Sequence, residues 1–291
     1  MKRLLYRIMV SAAARLANLA EKFRAEDQSI RGNAASDVSF SGNYPDWESA
    51  RRASGGYDDP EIFERVRRAV QKVKTGAAVF ERDSVTFDTV QYSSSLLAGL
   101  MYVCARRGGR LNLIDFGGSL GSTYFQNRSL LDSFPGVRWA VVEQPGFVSI
   151  GQREFQDDRL CFFETIEAAA NSTIARKAEN HGIDVVLFSS VLQYLPDWTA
   201  VIRQARDQHI PYILIDRTPL FIGDEPARIT VERVPENIYP ATYPARFFNS
   251  TEFKAALTGA GYKEIFDFES WERWDLGDAR AVTHCMLYEK I

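Results

Sequence analysis

The sequence has few of the residues that build metal centres and disulfide frameworks. It contains only three cysteines and three histidines in 291 residues. The cysteines, Cys104, Cys161 and Cys285, lie far apart, and none belongs to a C-x-x-C pair. This spacing argues against a disulfide framework or a zinc cluster and favours a reducing compartment. We therefore predict a cytoplasmic protein without a metal site.

A strong excess of charge and a long apolar run are also absent. The formal net charge is −3, so no positive field favours a nucleic acid as partner. No apolar run reaches the ~18 residues that a membrane-spanning helix needs. The N-terminal run MKRLLYRIMVSAAARLANLAEKF alternates apolar and basic residues with helical periodicity. We predict an amphipathic basic helix over residues 1–24, packed on its own domain or a partner subunit, or in peripheral contact with the inner membrane.

Residues 25–110 are predicted to form an extension that packs on the core. The part before residue 60 is rich in Ser, Gly, Asn and Asp and predicts a loop, and the aromatic residues within it indicate that this loop docks on the main domain. PEIFERVRRAVQKVKTG begins with proline and ends in glycine, as helices do. FERDSVTF predicts an irregular segment or a hairpin. DTVQYSSSLLAGLMYVCARRGG predicts a second helix, closed by two glycines.

From residue 111 onward, apolar runs alternate with helical segments. LNLIDF, RWAVVEQ, LCFF, IDVVLFSS and PYILID predict five parallel strands joined by helices. Among the predicted helices, DWTAVIRQARDQ has Asp197 as its N-cap, and NSTEFKAALTGAG begins with a capping sequence. YKEIFDFESWE and RAVTHCMLYEK follow as two strands with no helix between them, which favours antiparallel pairing. A mostly parallel α/β sheet that ends in one reversed hairpin strand is the shape of the Rossmann-like class I methyltransferase fold. We predict this fold for residues 111–291, with an insertion at residues 218–248.

The turn after the first of these strands, Gly117–Gly121, fits two chemistries. Its glycines would let a nucleoside cofactor lie against the backbone. The same residues form G-x-S-x-G, the elbow that presents a nucleophilic serine, here Ser119. Glu143, at the end of the second strand and about 20 residues further on, stands where an acidic residue accepts ribose hydroxyls. A hydrolase would need Asp216 and a late histidine, but His284 lies inside a predicted strand. A cofactor loop is therefore favoured, with a serine hydrolase and a nicotinamide enzyme as alternatives.

Several longer runs share a resemblance to one family. DFGGSLGSTYFQNR, WAVVEQPGFVSIG, DVVLFSSVLQYLPD and YILIDRTP resemble S-adenosylmethionine-dependent methyltransferases of bacterial cell-surface polysaccharide gene clusters. FSGNYPDWESA, GYDDP, FERDSVTF and IYPATYPARFF resemble the same family. The resemblance implies S-adenosylmethionine as cofactor and a small molecule or glycan, such as a sugar, as methyl acceptor. A non-catalytic cofactor-binding or scaffold protein of the same fold is a further alternative.

The motif, the strand ends and the resemblance together indicate three groups of site residues. For catalysis we predict Asp216 or Asp83 as the general base for a sugar hydroxyl, and Tyr194 as an aromatic face near the sulfonium. The predicted cofactor-binding residues are Asp115, Gly117, Gly118, Ser119, Gly121, Glu143, Gln144, Phe163, Glu164, Ser189, Ser190 and Gln193. The predicted substrate-binding residues, most of them aromatic and in loops, are Tyr44, Trp47, Tyr57, Arg217, Tyr239 and Tyr243.

Overall fold

The computed structural model describes residues 38–56, 60–82, 84–88, 93–134, 136–172, 182–235, 238 and 240–291. The helix predicted over residues 1–24 and the candidates Tyr57, Asp83 and Tyr239 lie outside these ranges. The described strands are β1 (Ser39–Tyr44), β2 (Phe80–Arg82), β3 (Val85–Phe87), β4 (Arg110–Phe116), β5 (Gly136–Val142), β6 (Leu160–Phe163), β7 (Val185–Ser189), β8 (Tyr212–Phe221), β9 (Arg228–Val234), β10 (Ala241–Phe247), β11 (Tyr262–Asp275) and β12 (Arg280–Lys290). The described α-helices are α1 (Trp47–Arg52), α2 (Pro60–Thr75), α3 (Ser94–Arg106), α4 (Ser122–Leu131), α5 (Pro145–Ile150), α6 (Ile166–Ala170), α7 (Trp198–Asp207) and α8 (Ser250–Gly259). A π-helical turn continues α5 at Gly151–Phe155, and a 3-10 turn follows β7 at Leu192–Tyr194.

Seven strands form the central sheet in the order β11-β12-β8-β7-β4-β5-β6. Strands β6, β5, β4, β7 and β8 run parallel to one another. Strand β12 is antiparallel to both of its neighbours, β8 and β11. The mixed α/β fold predicted from the sequence, with a mostly parallel sheet and one reversed strand, is confirmed.

The sheet is buried on both faces, which explains why its central strands are continuous apolar runs. Successive side chains of a strand point to opposite faces, so Leu113 packs into one apolar layer and Ile114 into the other. Trp139 of β5 is fully buried in the first layer. Within the described ranges, no helix combines the length and apolar character needed to cross a bilayer.

Helix ends lie where local chemistry places them. The side chain of Asp197 accepts a backbone hydrogen bond from the first turn of α7, as predicted, and Asn249 does the same for α8. These caps satisfy N–H groups that have no partner within the helix. After α3, Gly108 and Gly109 have φ values of 66° and 85°, a left-handed conformation that glycine adopts without strain. The capping pattern therefore predicts these boundaries correctly.

The segment before residue 60 is more regular than the predicted loop. It contains β1 and α1, and β1 pairs with β9 of the predicted insertion. Together with β10 these strands form a second, antiparallel sheet in the order β1-β9-β10, called the small sheet below. A pairing between segments so distant in the chain leaves no local pattern, so sequence periodicity could not reveal it. FERDSVTF forms the β2–β3 hairpin.

Strand β8 is longer than predicted and changes the position of Asp216. Its pairing with β7 ends at Ser189 and Asp216, whereas its pairing with β12 continues as far as Phe221. Asp216 therefore lies within a strand, at the level where the parallel neighbour stops, and not at the end of β8. The additional length of β8 joins the small sheet to the central one, because Phe221 N–H donates to the Phe248 carbonyl at 2.9 Å.

Candidate functional site

A cavity of about 770 Å³ lies between the carboxyl ends of β4, β5, β7 and β8 on one side and the small sheet on the other. Open α/β sheets bind ligands at this edge, where the strand order reverses. The reversal here falls between β4 and β7. The predicted site residues that line the cavity are Asp115, Gly117, Gly118, Ser119, Glu143, Gln144, Ser189, Ser190, Gln193, Tyr194, Asp216, Arg217, Trp47 and Tyr243.

Four other predicted residues do not line the cavity. Three of them pack against other parts of the chain, and one is exposed. Gly121 has a φ of 88° and begins α4, close against a leucine of β6. Phe163 packs against the apolar layer that contains Ile114, and Glu164 is exposed. The ring of Tyr44 folds back over Gly42, since a Cβ there would stand 2.5 Å from Tyr44 Cε2. The cavity does not extend to these side chains.

The glycine turn is packed tightly against Asp115. A Cβ on Gly118 would stand 2.5 Å from the Asp115 Cγ atom, so only glycine fits there without a shift. Asp115 is 1% exposed, and its Oδ2 accepts a 2.9 Å hydrogen bond from Trp139 Nε1. Burial raises the pKa of Asp115 to about 7, the Trp139 hydrogen bond opposes this rise, and the charge of Glu143 adds to it. The carboxyl group therefore titrates near neutral pH.

Glu143 directly follows β5 and faces the turn. Its Oε1 accepts from the Ser119 N–H at 3.3 Å, and its Oε2 accepts from the Gln144 N–H at 2.8 Å. Burial raises the pKa of this carboxyl group, and the two N–H donors oppose that rise. An ionised carboxylate has about four acceptor positions, so each oxygen keeps capacity for one more donor. The group is oriented to receive two adjacent hydroxyls from a ligand in the cavity.

Four residues that are not glycine adopt the left-handed conformation around the cavity, and one of them, Ser84, with a φ of 68°, lies directly before β3. Ser119, Ser190 and Arg217 have φ values of 54°, 53° and 53°, and all three line the cavity. Such conformations cost about 1–3 kcal/mol and occur preferentially at functional sites. The surrounding structure therefore holds the backbone at the ends of β4 and β7, and within β8, in strained positions.

Gln193 supplies a buried acceptor on the cavity wall. Its Nε2 donates to Ser190 Oγ at 3.1 Å and lies 3.5 Å from the Arg217 carbonyl oxygen. Its Oε1 is buried and has no hydrogen-bond partner within the described part of the chain. A buried acceptor without a partner costs about 1–3 kcal/mol. A ligand with a donor group, such as an ammonium, would relieve this cost.

Asp216 is held between two serines. Its Oδ1 accepts from Ser93 Oγ at 3.1 Å, and its Oδ2 accepts from Ser189 Oγ at 3.0 Å. The side chain is 1% exposed. Burial raises its pKa, whereas the charge of Arg217 and the two serine hydroxyls lower it. The carboxyl group therefore ties the start of α3 to the end of β7.

Arg217 forms an ion pair that the sequence analysis missed. Its Nη2 lies 3.0 Å from Oε1 of Glu272 on β11, and Glu272 is 8% exposed. The prediction placed Arg217 among the substrate-binding residues. The described contact is with Glu272, in a strand whose register the sequence does not reveal.

On the side of the small sheet, two tyrosines converge on a second missed residue. Tyr194 Oη donates to Oε2 of Glu232 at 2.9 Å, and Tyr243 Oη donates to its Oε1 at 3.4 Å. The two rings meet edge to face, with centroids 5.3 Å apart. Glu232 is 5% exposed and lines the cavity. The only sequence signal is an acidic residue inside the apolar run of β9.

Trp47 and Arg246 close the outer end of the cavity. The guanidinium of Arg246 lies 5.3 Å from the centre of the Trp47 ring, within the range of a cation–π interaction. Arg246 also donates to the carbonyl oxygens of Leu195 and Pro196, at 3.3 Å and 3.1 Å. These contacts join α1, β10 and the loop after β7 into one wall.

The structure does not assemble the residues of a serine hydrolase. No histidine of the described chain lines the cavity that contains Ser119. His284 lies within β12, and its Nδ1 stands 2.5 Å from Oδ1 of Asp267 on β11. Among the described residues, no group of three or more His, Cys, Asp or Glu side chains is arranged to hold a metal ion.

Comparison with solved structures finds distant likeness. One is 1,6-didemethyltoxoflavin-N1-methyltransferase from Burkholderia thailandensis, with bound 1,6-didemethyltoxoflavin and S-adenosylhomocysteine (16% identity, 81% of this chain and 92% of that chain, TM-score 0.40). Another is the N-terminal domain of EvdMO1 in the presence of S-adenosylhomocysteine and D-fucose (15% identity, 81% and 98%, TM-score 0.45). A third is CalS10, an amino pentose methyltransferase from Micromonospora echinaspora (12% identity, 67% and 91%, TM-score 0.38). Neither a protein-family model nor a curated protein matches the chain.

Proposed function

We propose that this protein is an S-adenosylmethionine-dependent methyltransferase. The observation that carries the proposal is Glu143, which is held by two backbone N–H groups beside the glycine turn, at the reversal point of the sheet. A carboxylate in this position suits the two hydroxyls of a ribose. S-adenosylmethionine supplies an electrophilic methyl group on a positively charged sulfur, and the protein supplies orientation and charge placement.

The residues of the cavity fit the remaining parts of this cofactor. We assign the cofactor's ammonium to the unpartnered Oε1 of Gln193 and to the turn that packs on Asp115. Gln144, next to Glu143, borders the adenine. Ser189 and Ser190, at the end of β7, lie beneath the sulfonium. In this assignment the ribose, the ammonium, the adenine and the sulfonium each lie beside a residue that lines the cavity.

A sugar hydroxyl, in a cell-surface polysaccharide or its precursor, is the proposed methyl acceptor. Aromatic side chains stand along the cavity wall opposite the glycine turn, and flat apolar faces with a few polar groups suit a sugar ring. These aromatic residues are Trp47, Tyr243, Trp271 and Trp274. Arg217 is engaged with Glu272, which favours a neutral sugar ring over one that carries an acidic group. The sequence resemblance supports the polysaccharide context.

A sugar hydroxyl must lose its proton as it is methylated, because its own pKa lies far above 7. We consider two of the described carboxylates that line the cavity as the base: Asp216 and Glu232. Asp216 is the base proposed from the sequence. Its position between Ser93 and Ser189 places it beneath the loop that we assign to the sulfonium.

Calorimetry with S-adenosylhomocysteine and S-adenosylmethionine tests the cofactor assignment. We expect micromolar binding, about −8 kcal/mol. Absence of both heat and thermal shift at millimolar ligand would refute the proposal. Transfer of a radiolabelled methyl group to a panel of nucleotide-activated hexoses and 6-deoxyhexoses tests the acceptor class. Cofactor binding without transfer to any member of the panel would instead support the non-catalytic alternative.

A further inference from the structure

We propose that Tyr194 and Glu232 form a proton relay for the acceptor hydroxyl, with Tyr243 as the residue that positions the Glu232 carboxylate. The inference rests on the proposed methyl transfer to a hydroxyl group. It assigns removal of the acceptor's hydroxyl proton to two residues, one in the turn after β7 and one in the small sheet. The sequence analysis considered Tyr194 only as an aromatic face and did not consider Glu232.

The position of Tyr194 in the fold supports the first step of this relay. It ends the 3-10 turn after β7, the loop that also carries Ser190 and Gln193 into the cavity. Its phenol therefore belongs to the wall assigned to the cofactor but reaches across to β9. The 2.9 Å bond from Tyr194 Oη to Glu232 Oε2 joins the cofactor wall to the acceptor wall.

The position of Glu232 supports the second step. It lies in the middle of β9, the central strand of the small sheet, between Phe40 of β1 and Tyr243 of β10. A strand with neighbours on both sides holds its side chains more firmly than a loop does, and a rigid element suits a catalytic group. The Tyr243 hydroxyl at 3.4 Å and the edge-to-face packing of its ring on Tyr194 fix the orientation of the pair.

The chemistry balances without any further reagent. The bond between the methyl carbon and sulfur breaks, and its electron pair stays on the sulfur, which becomes a neutral thioether. The acceptor oxygen forms the new bond to the methyl carbon. The hydroxyl proton passes to the phenol oxygen of Tyr194 while the phenol proton passes to Glu232, so tyrosine is unchanged and glutamate ends protonated. Release of this proton to solvent restores the carboxylate.

Asp216 is the competing base, and its contacts differ in kind. Both of its carboxylate oxygens accept from serine hydroxyls, one from Ser93 and one from Ser189. Asp216 thereby connects the start of α3 to the end of β7. Serine hydroxyls have a far higher pKa than a phenol, so they pass on a proton less readily. Glu232 instead accepts from a phenol, although Tyr194, Ser93 and Ser189 all line the cavity. The geometry therefore assigns orientation of the loops to Asp216 and proton transfer to Glu232.

The test compares Glu232→Gln and Tyr194→Phe with wild type in the radiolabel assay on the sugar panel. Glu232→Gln keeps the size of the side chain and one acceptor oxygen but removes its basicity. We expect kcat to fall about 100-fold or more in both variants. The KM for the sugar and the calorimetric Kd for S-adenosylhomocysteine should stay within about threefold of wild type. Glu232→Asp should recover part of kcat, and Tyr243→Phe should lose less than about tenfold.

Two further variants make the outcome specific. Glu225→Gln removes an exposed carboxylate from the loop before β9 and should leave kcat unchanged. Asp216→Asn distinguishes between Asp216 and Glu232 as the base. If Asp216→Asn abolishes transfer while Glu232→Gln retains more than about a third of wild-type kcat, the relay is refuted and Asp216 is the base.

Failures of the relay and of the proposed function give different results. No cofactor binding by wild type, or no transfer to any sugar of the panel, refutes the methyltransferase proposal and the relay with it. Wild-type transfer that persists in both Glu232→Gln and Tyr194→Phe refutes only the relay. If Glu232→Gln loses its cooperative melting transition, Tyr194→Phe decides alone: full kcat in that variant refutes the relay, and a 100-fold loss with unchanged cofactor Kd supports it.

Discussion

The two walls of the cavity are built in different ways. The wall at the ends of β4, β5 and β7 consists of short loops, each directly after its own strand, and backbone N–H groups orient its main carboxylate, Glu143. The opposite wall consists of β1, β9, β10 and β11, and strand pairing between distant segments together with side-chain contacts holds it together. Phe40 of β1 packs on Phe247 and Trp274 with ring centroids 4.9 Å and 5.0 Å apart. The residues of the first wall lie close to one another in the sequence, whereas the second wall is assembled from segments that are distant in the sequence.

This difference has a functional consequence. The first wall is shaped by backbone geometry, which suits a ligand that is the same in every reaction, as a cofactor is. Aromatic and charged side chains of the second wall can vary without disturbing the central sheet, because loops and added strands carry binding on a rigid scaffold. Changes at the first wall should therefore alter cofactor affinity, and changes at the second should alter only the acceptor kinetics.

Glu143→Ala should have the largest effect, and it should change only the affinity for the cofactor. The variant loses hydrogen bonds to a charged acceptor, which cost about 1.5–3 kcal/mol, so the Kd for S-adenosylhomocysteine should rise about 10- to 150-fold. Calorimetry measures this change, and circular dichroism checks that the fold is intact. Glu167→Ala, an exposed change on α6, should bind like wild type. Equal affinity in Glu143→Ala and wild type would contradict the ribose assignment.

Asp115→Asn should change how stability depends on pH. The pKa of Asp115 is raised from 3.8 to about 7 in the folded chain, so the folded state binds this proton more tightly than the unfolded state. Its contribution to stability is complete below pH 4 and is lost as the pH rises through about 7. Asparagine keeps an acceptor for Trp139 but does not titrate.

The free energy of unfolding of Asp115→Asn minus that of wild type should therefore increase between pH 5 and pH 8, by about 2–3 kcal/mol. Urea unfolding at the two pH values measures this difference. Asp158→Asn, which removes an exposed carboxylate, should show no such increase. A difference that stays constant over this pH range would mean that Asp115 is already ionised at pH 5.

Trp47→Ala should affect only the acceptor side. It removes the cation–π contact with Arg246, worth about 1 kcal/mol, and an aromatic face of the cavity. The KM for the sugar should rise about fivefold, with an unchanged Kd for S-adenosylhomocysteine. Trp47→Phe, which keeps a ring, should lie between wild type and Trp47→Ala. A change in cofactor affinity would show that the two walls are not separable.

Ser119→Ala should have the smallest effect. The residue contributes its backbone N–H to Glu143 at 3.3 Å, and alanine keeps that donor. Alanine also bears the same cost of a positive φ, so the turn should not be destabilised further. Methyl transfer should remain within about tenfold, 1.4 kcal/mol, of wild type. Loss of activity with intact cofactor affinity would identify Ser119 as a nucleophile and refute the cofactor turn.

Much of the cofactor wall could be predicted because its signals are local. An apolar run, a glycine turn and an acid at the next strand end lie within one short stretch of sequence, and β4 and β5 pair in parallel, as strands joined by a helix do. The position of Asp216 was less predictable. The apolar run stops at Asp216 and Arg217, but Thr218 and Pro219 pair with the reversed strand β12 and extend β8 beyond it.

The sequence by itself determined the central α/β sheet, its reversed strand, the caps of α7 and α8 and the glycine turn with Glu143. Each of these depends on residues a few positions apart, through burial periodicity, caps and backbone conformations that few residues adopt. Only the tertiary structure decided that β1 joins β9 and β10, that Arg217 pairs with Glu272, and that Tyr194 meets Glu232. A shift of one residue in strand register turns every side chain to the other face. The direction in which Glu232 points is therefore a property of the assembled sheets.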